Sequence, residues 1–175
     1  MVQVEIINIG DELLIGQVVN TNASQMAQKL NSHGFNVLAT SIIGDNQNQI
    51  RKSLDIALER ADCVLITGGL GPTKDDITKK TLAEYFKSDL IIDKEVEEHV
   101  KSYFKRKQLP FTETNRAQAL VPEKCKVIFN PVGTAPGMCF EKNGKLIVSM
   151  PGVPFEMRKK KKKVIEIMQI FFNQH

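Results

Sequence analysis

Three short aliphatic runs dominate the first half of the chain, each closed by a glycine-bearing turn and each followed by a segment of helical periodicity. Val4 to Ile9 stops at Gly10, Phe35 to Ile43 stops at Gly44-Asp45-Asn46, and Asp62 to Thr67 runs straight into Gly68-Gly69-Leu70-Gly71-Pro72-Thr73. Between them Ala23, Met26, Ala27 and Leu30 predict a helix from about Thr21 to Ser32, with Gly34 as its stop. Ile50, Leu54, Ala57 and Leu58 mark a second helix, and a third begins near Lys74 to Ile77 and runs to about Phe86. Buried β-branched runs alternating with helices can pair only as a parallel sheet whose right-handed crossovers cover both faces. Ligands of such sheets bind outside the carboxyl ends of the strands, which is where all three glycine turns fall.

The second half is less regular. Lys94 to Arg106 reads as a helix, Leu109 to Pro122 as a loop with one helical turn, and Cys125 to Phe129 as a strand. Met138–Glu141 and Lys145–Met150 flank Lys142-Asn143-Gly144, and Asn-Gly between apolar runs signals a β-hairpin. The last helix starts after Pro154 with Val164, Ile165, Met168, Phe171 and Phe172 as its apolar stripe. No repeat or linker divides the chain, so residues 1–175 are expected to form one domain.

Charge and cysteine content narrow the function. The net charge is +4, but Arg158 to Lys163 is an unbroken basic run, without which the remainder is slightly negative. A nucleic-acid binder spreads its basic charge over a face or groove, so this run reads as a solvated helix start or a flexible tail in preference to an anion site, and no nucleic-acid partner is expected. Cys63, Cys125 and Cys139 form no zinc pattern, and Cys63 lies in a buried strand. Unpatterned cysteines, no signal-like N-terminus and no apolar stretch approaching the ~20 residues of a membrane span predict a cytoplasmic chain with no membrane partner.

The segment Thr67 to Asp76 is richest in chemistry. Clustered glycines let a backbone turn closely and aim N–H groups at an anion, and the following helix adds its positive end. The Gly-Lys-Ser/Thr of a P-loop is missing, as is GxGxxG spacing. Thr73 and Asp76 have capping-box spacing, which accounts for Asp76 by itself but not for the glycines. Asp75 and Asp76 would repel a phosphate held in this cradle. A divalent cation, with Mg2+ the natural choice, removes the conflict, because it binds through one or two carboxylates plus phosphate oxygens. Asp11 and Glu12, after the first strand, are placed to hold a metal, position water or bond a ribose; otherwise they cap a turn. Asp45 adds a third acid at the rim. Asn22 is either a ligand contact or a helix cap. Gly133-Thr134-Ala135-Pro136-Gly137 and Met150-Pro151-Gly152-Val153-Pro154 are ligand walls or rigid turns.

Taken in order, these motifs resemble one family. Gly10 to Gly16 with Asn20-Thr21-Asn22, Thr67 to Thr78, Asn115 with Gln118 to Pro122, Gly133 to Gly137 and Met150 to Met157 are similar to the molybdopterin-binding-type domain at the N-terminus of the competence/damage-inducible CinA proteins. The resemblance implies a three-layer α/β fold, a small hairpin in the second half, and hydrolysis of ADP-ribose at its pyrophosphate with a divalent metal. It places phosphates on Gly68, Gly69, Leu70, Gly71 and Thr73, with Asn22, Gly133, Thr134, Pro151 and Gly152 as further ligand contacts. Asp11, Asp45 and Asp76 are then the catalytic acids, and Asp11, Glu12, Asp45, Asp75 and Asp76 the metal-holding rim. The family's usual C-terminal deamidase domain lies beyond this chain, and Ala117 stands where the family pattern has a lysine. The expected partner is a small phosphorylated, nucleotide-like ligand, and the expected assembly a homo-oligomer. Three functions follow: a nucleotide pyrophosphatase, an enzyme or carrier of molybdenum-cofactor synthesis, or a catalytically idle binding module.

Overall fold

The computed structural model describes residues 1–69, 77–152 and 154–174, with the side chains of 154–161 left aside. Strands β1 (Gln3–Ile9), β2 (Asn36–Ile43) and β3 (Cys63–Thr67) alternate with helices α1 (Asp11–Leu14), α2 (Thr21–Asn31) and α3 (Gln47–Arg60). After the glycine segment come α4 (Ile77–Tyr85), β4 (Leu90–Ile92), α5 (Lys94–Arg106), the turn-length α6 (Glu113–Arg116) and a 3-10 turn at Ala117–Ala119. The chain then runs through β5 (Leu120–Pro122), β6 (Lys126–Ile128), β7 (Gly137–Lys142), β8 (Lys145–Met150) and α7 (Pro154–Gln174).

Six strands form one sheet in the order β2-β1-β3-β8-β7-β6. β2, β1, β3 and β8 are mutually parallel, and β7 runs against both of its neighbours. This is the predicted mostly parallel sheet with helices on both faces, and the predicted hairpin supplies its last two long strands. The two faces bury separate cores. Met26 and Leu30 of α2 pack with Val164, Ile165 and Met168 of α7 over Val4, Ile6, Leu65 and Val148. Ile50, Leu54 and Ala57 of α3 pack with Leu82 of α4 over Ile7, Ile9, Val64, Ile66 and Ile147. Period-2 side chains thus divide each central strand between the layers, and every residue of β3 is buried.

Three elements depart from the sequence reading. Residues 10–20, between the first strand and the first helix of the sequence reading, open with the short helix α1 and a compact turn in which the Gln17 and Val18 N–H groups donate to the Glu12 carbonyl. The expected loop from Leu109 to Pro122 ends in β5, which pairs antiparallel with β4 as a separate two-stranded sheet. Neither three-residue strand is long enough to show a period. Finally, the cap of α2 is Asn20, whose side chain accepts from the Ala23 N–H at 3.3 Å, and not Asn22.

The cysteines behave as core residues. Burial, foremost, pushes the Cys63 thiol well above its usual range, raises Cys125 to about 12 and raises Cys139 to about 11. All three are therefore neutral thiols near pH 7. A thiol reagent at pH 8 is expected to label none of them rapidly in the folded chain and all three in denaturant, as mass spectrometry would show. Truncating Leu65 to Ala at the centre of β3 should cost ~2–5 kcal/mol, read from the shift in denaturation midpoint.

Candidate anion site at the carboxyl rim of the sheet

β1 leads to β2 on one side through α2, and β2 returns across β1 to β3 through α3. The two crossovers lie on opposite faces, so the crevice between the exits of β1 and β3 is the topological switch point of the sheet. β8 also exits at this rim. So does β6, which is antiparallel to β7 and hence runs with β8. The turns that follow β1, β2, β3, β6 and β8 therefore lie on one edge of the sheet, whereas residues 70–76 and Val153 are outside the described residues. Leu70, Gly71, Thr73, Asp75 and Asp76 belong to residues 70–76.

At the switch point backbone packs on backbone. Gly68 has φ +98°, and a Cβ there would overlap the Ile9 carbonyl oxygen. Its N–H donates to the Met150 carbonyl at 3.0 Å, tying the exit of β3 to that of β8. A Cβ on Gly152 would stand 3.0 Å from Gly68 Cα, and the Gly152 carbonyl accepts from Asn22 Nδ2 at 2.8 Å. The predicted contacts Asn22, Gly68 and Gly152 are thus joined in one chain of neighbours. Gly69 follows with φ +65°, and its carbonyl accepts from the Thr78 N–H at 3.3 Å, which fastens α4 to the turn.

On the other side of β1, Asp11 and Asp45 cap each other. The Asp45 N–H donates to Asp11 Oδ1 at 3.1 Å, and the Asp11 N–H to Asp45 Oδ2 at 3.3 Å. The Gly10 N–H donates to the Ile43 carbonyl at 3.0 Å, which holds the two turns together. A Cβ on Gly44 would sit 2.8 Å from Asp11 Oδ1, so only glycine leaves that carboxylate its place. Glu12 folds back over Gly10, its Oε1 2.5 Å from where a Cβ would be. Among the described residues no three His, Cys, Asp or Glu side chains group to hold a metal ion. The described part of the predicted rim supplies the Asp11–Asp45 pair, which matches the one or two carboxylates that Mg2+ takes from protein when phosphate completes its shell.

The segment 133–137 is organised by a residue that the sequence reading overlooked. Buried Asn130 accepts through Oδ1 from the Val132 and Gly133 N–H groups, both at 3.2 Å, and donates through Nδ2 to the Ala135 carbonyl at 3.1 Å. His99 Nε2 bonds the Gly133 carbonyl at 3.0 Å. Asn8 was likewise overlooked. It accepts from Thr67 Oγ1 at 2.9 Å and donates to the Ser41 carbonyl at 2.9 Å, linking β3, β1 and β2 just below the rim. The available signal was an amide within the aliphatic run Ile6 to Ile9, which burial permits only if it is hydrogen-bonded.

Comparison with known proteins agrees with this geometry. The sequence profile of the family described as "Probable molybdopterin binding domain" matches residues 5–169. A CinA-like protein of Flavobacterium psychrophilum is 50% identical over 157 residues, covering 87% of this chain and 37% of its own length. The crystal structure of the protein CinA, of unknown function, from Thermoplasma acidophilum superposes with a TM-score of 0.83 at 37% identity, over 93% of this chain and 97% of that one. The molybdopterin biosynthesis enzyme MoaB of Thermus thermophilus shares the fold, with a TM-score of 0.64 at 20% identity over 98% and 96% of the two chains. The chain belongs to the molybdopterin-binding-type domain family and, within it, to the CinA proteins. It spans less than two fifths of the length of the curated relatives it matches.

Gly68→Ala is expected to lower stability by at least ~2 kcal/mol, since it adds a left-handed side-chain penalty to a backbone clash. Denaturant titration would measure it, with Gly16→Ala, whose Cβ meets nothing, as the control for positive φ alone.

Proposed function

We propose that this chain is a metal-dependent nucleotide pyrophosphatase acting on ADP-ribose or a related dinucleotide. The observation that carries the reading is the reciprocal Asp11–Asp45 pair, fixed on the turn after β1 and the turn after β2, with the glycine turn of β3 on the other side of β1. Beyond capping each other's turns, two acids beside a bare anion site would repel what the site attracts. Beside a phosphate that arrives with Mg2+ the pair becomes the protein's share of the coordination shell. Asp11 and Asp45 would hold that ion, with Glu12, Asp75 and Asp76 as the remaining acids of the rim. When bound, the ion supplies neutralisation of phosphate charge and acidification of water.

The chain's own groups do the rest. The backbone at Gly68 and Gly69 takes the phosphates, and Asn22, held on Gly152, borders them. Gly133 and Thr134, with Pro151 and Gly152, form the walls. A carboxylate, Asp45 or Asp76, orients the water that attacks phosphorus. The bond from that phosphorus to the bridging oxygen breaks, giving AMP and ribose 5-phosphate. The neutral thiols and the CinA kinship support a cytoplasmic setting, and no helix of the described residues is long and apolar enough to cross a membrane. Homo-oligomer formation stands as part of the same proposal.

A second reading has its own support. The family description and the MoaB-like fold favour a binder of molybdopterin, whose phosphate would occupy the same turn. Incubation with ADP-ribose and Mg2+, followed by chromatography for AMP, separates the two. The expected result is AMP release that chelation abolishes, and a fall of at least about a hundredfold in Asp45→Asn, which keeps the capping oxygen but loses the charge. Tight pterin binding without AMP release would favour the second reading. Neither outcome would leave a catalytically idle module.

A further inference from the structure

The two edges of the six-stranded sheet are built differently. β6 is three residues long and carries the exposed Lys126, features that commonly keep an edge single. β2 runs for eight residues, Asn36–Ile43, with no charge and no proline among them. It pairs with β1 on one side only. Its register shift lies between Val37 and Ala39, so the strand is regular from Ala39 onwards. The Gly10 N–H takes the Ile43 carbonyl, which turns the backbone groups of Ala39, Ser41 and Ile43 towards β1 and those of Thr40 and Ile42 outward. Among the described residues nothing bonds these outward groups.

The side chains along this edge are apolar as well. Leu38 is 44% exposed and Ile42 37%. Leu14 of α1, whose Cδ1 lies 3.2 Å from a Cβ placed on Gly44, continues the exposed aliphatic surface past the end of the strand. A row of free N–H and C=O groups flanked by aliphatic side chains is answered by another extended strand. A second copy of β2 qualifies, because it is uncharged and brings the same donors and acceptors. Charge then fixes the direction. Asp11 and Glu12 of α1 flank the C-terminal end of β2, where the Asp45 N–H donates to Asp11, and Lys29 in the last turn of α2 precedes its N-terminal end. Antiparallel pairing across a two-fold axis sets the acidic end of each copy beside the lysine end of the other. Parallel pairing would set acids against acids.

We infer that β2 is the seam of a homodimer, paired antiparallel with β2 of a second copy so that the two sheets run on as one. With the axis at Ser41, Thr40 of each copy exchanges both backbone bonds with Ile42 of the other. The inference deepens the homo-oligomer part of the proposal above and is independent of turnover.

Analytical ultracentrifugation of wild type, Ile42→Lys and Thr40→Pro over a range of concentrations tests it, each variant being checked for a cooperative melt. Wild type is expected to sediment as a dimer at about 50 µM and to dissociate on dilution. Ile42→Lys places like charges across the seam and is expected to weaken association by about a hundredfold or more. Thr40→Pro removes an outward N–H that the monomer fold does not use, and is expected to weaken association by about as much while the chain still folds. In wild type, residue-resolved hydrogen exchange at Thr40 and Ile42 is expected to slow about tenfold or more as concentration rises, which a dimer formed through another face would not produce. If neither variant folds, that exchange pattern decides alone. A dimer that both folded variants leave intact would overturn the inference while the homo-oligomer reading stands. Wild type that stays monomeric at about 200 µM overturns both, and the edge then belongs to an extended segment of a different protein.

Discussion

The structure turns on how closely the exit of β3 approaches the exits of β1 and β8. At Gly68 the backbone lies against the Ile9 carbonyl and bonds the Met150 carbonyl, with Gly152 touching from the far side. No side chain fits in that space. Three strand ends are thereby drawn together at the switch point of the sheet, and the turn that follows β3 begins from a fixed place. Just below, the amide of Asn8 joins β3, β1 and β2. The acid pair beyond inherits its position from this frame, because Asp11 and Asp45 each sit two residues past the end of their strand, β1 and β2.

Much of this was legible in the residues. Runs such as Val4–Ile9 and Cys63–Thr67 are aliphatic on both faces, and only a sheet covered on both sides buries them. Gly10, Gly44 and Gly68 mark where the chain leaves that sheet, so the rim and its acids could be placed before any coordinates. Asn143-Gly144 gave the hairpin. What was illegible has a common cause, which is tertiary context. β4 and β5 are three residues each and exist because they pair with one another. α1 is a single turn within a polar and aliphatic stretch that carries no clear period. Asn20 and Asn22 are equally good caps by type, and only the Gly152 carbonyl, 130 residues away, claims Asn22.

The site likewise shows a limit of reading acids and glycines alone. Those residues advertise chemistry by type. Asn130 does not, since an amide near a loop is an ordinary surface residue until its burial is known. Its significance comes from being dehydrated next to the rim, which is a property of packing.

The order of strands in the sheet has a consequence for how the chain is made. β1, β2 and β3 occupy the first 67 residues and can pair as they leave the ribosome. The other edge of β3 waits for β8, where Cys63 pairs with Leu146 and Thr67 with Met150. Until some eighty residues more have been synthesised, the central strand of the molecule is an unprotected, largely aliphatic edge. Contacts of such long sequence separation slow folding and leave the intermediate exposed to aggregation. The nascent chain is therefore most vulnerable just before its hairpin emerges, and the carboxyl rim of the sheet is completed last.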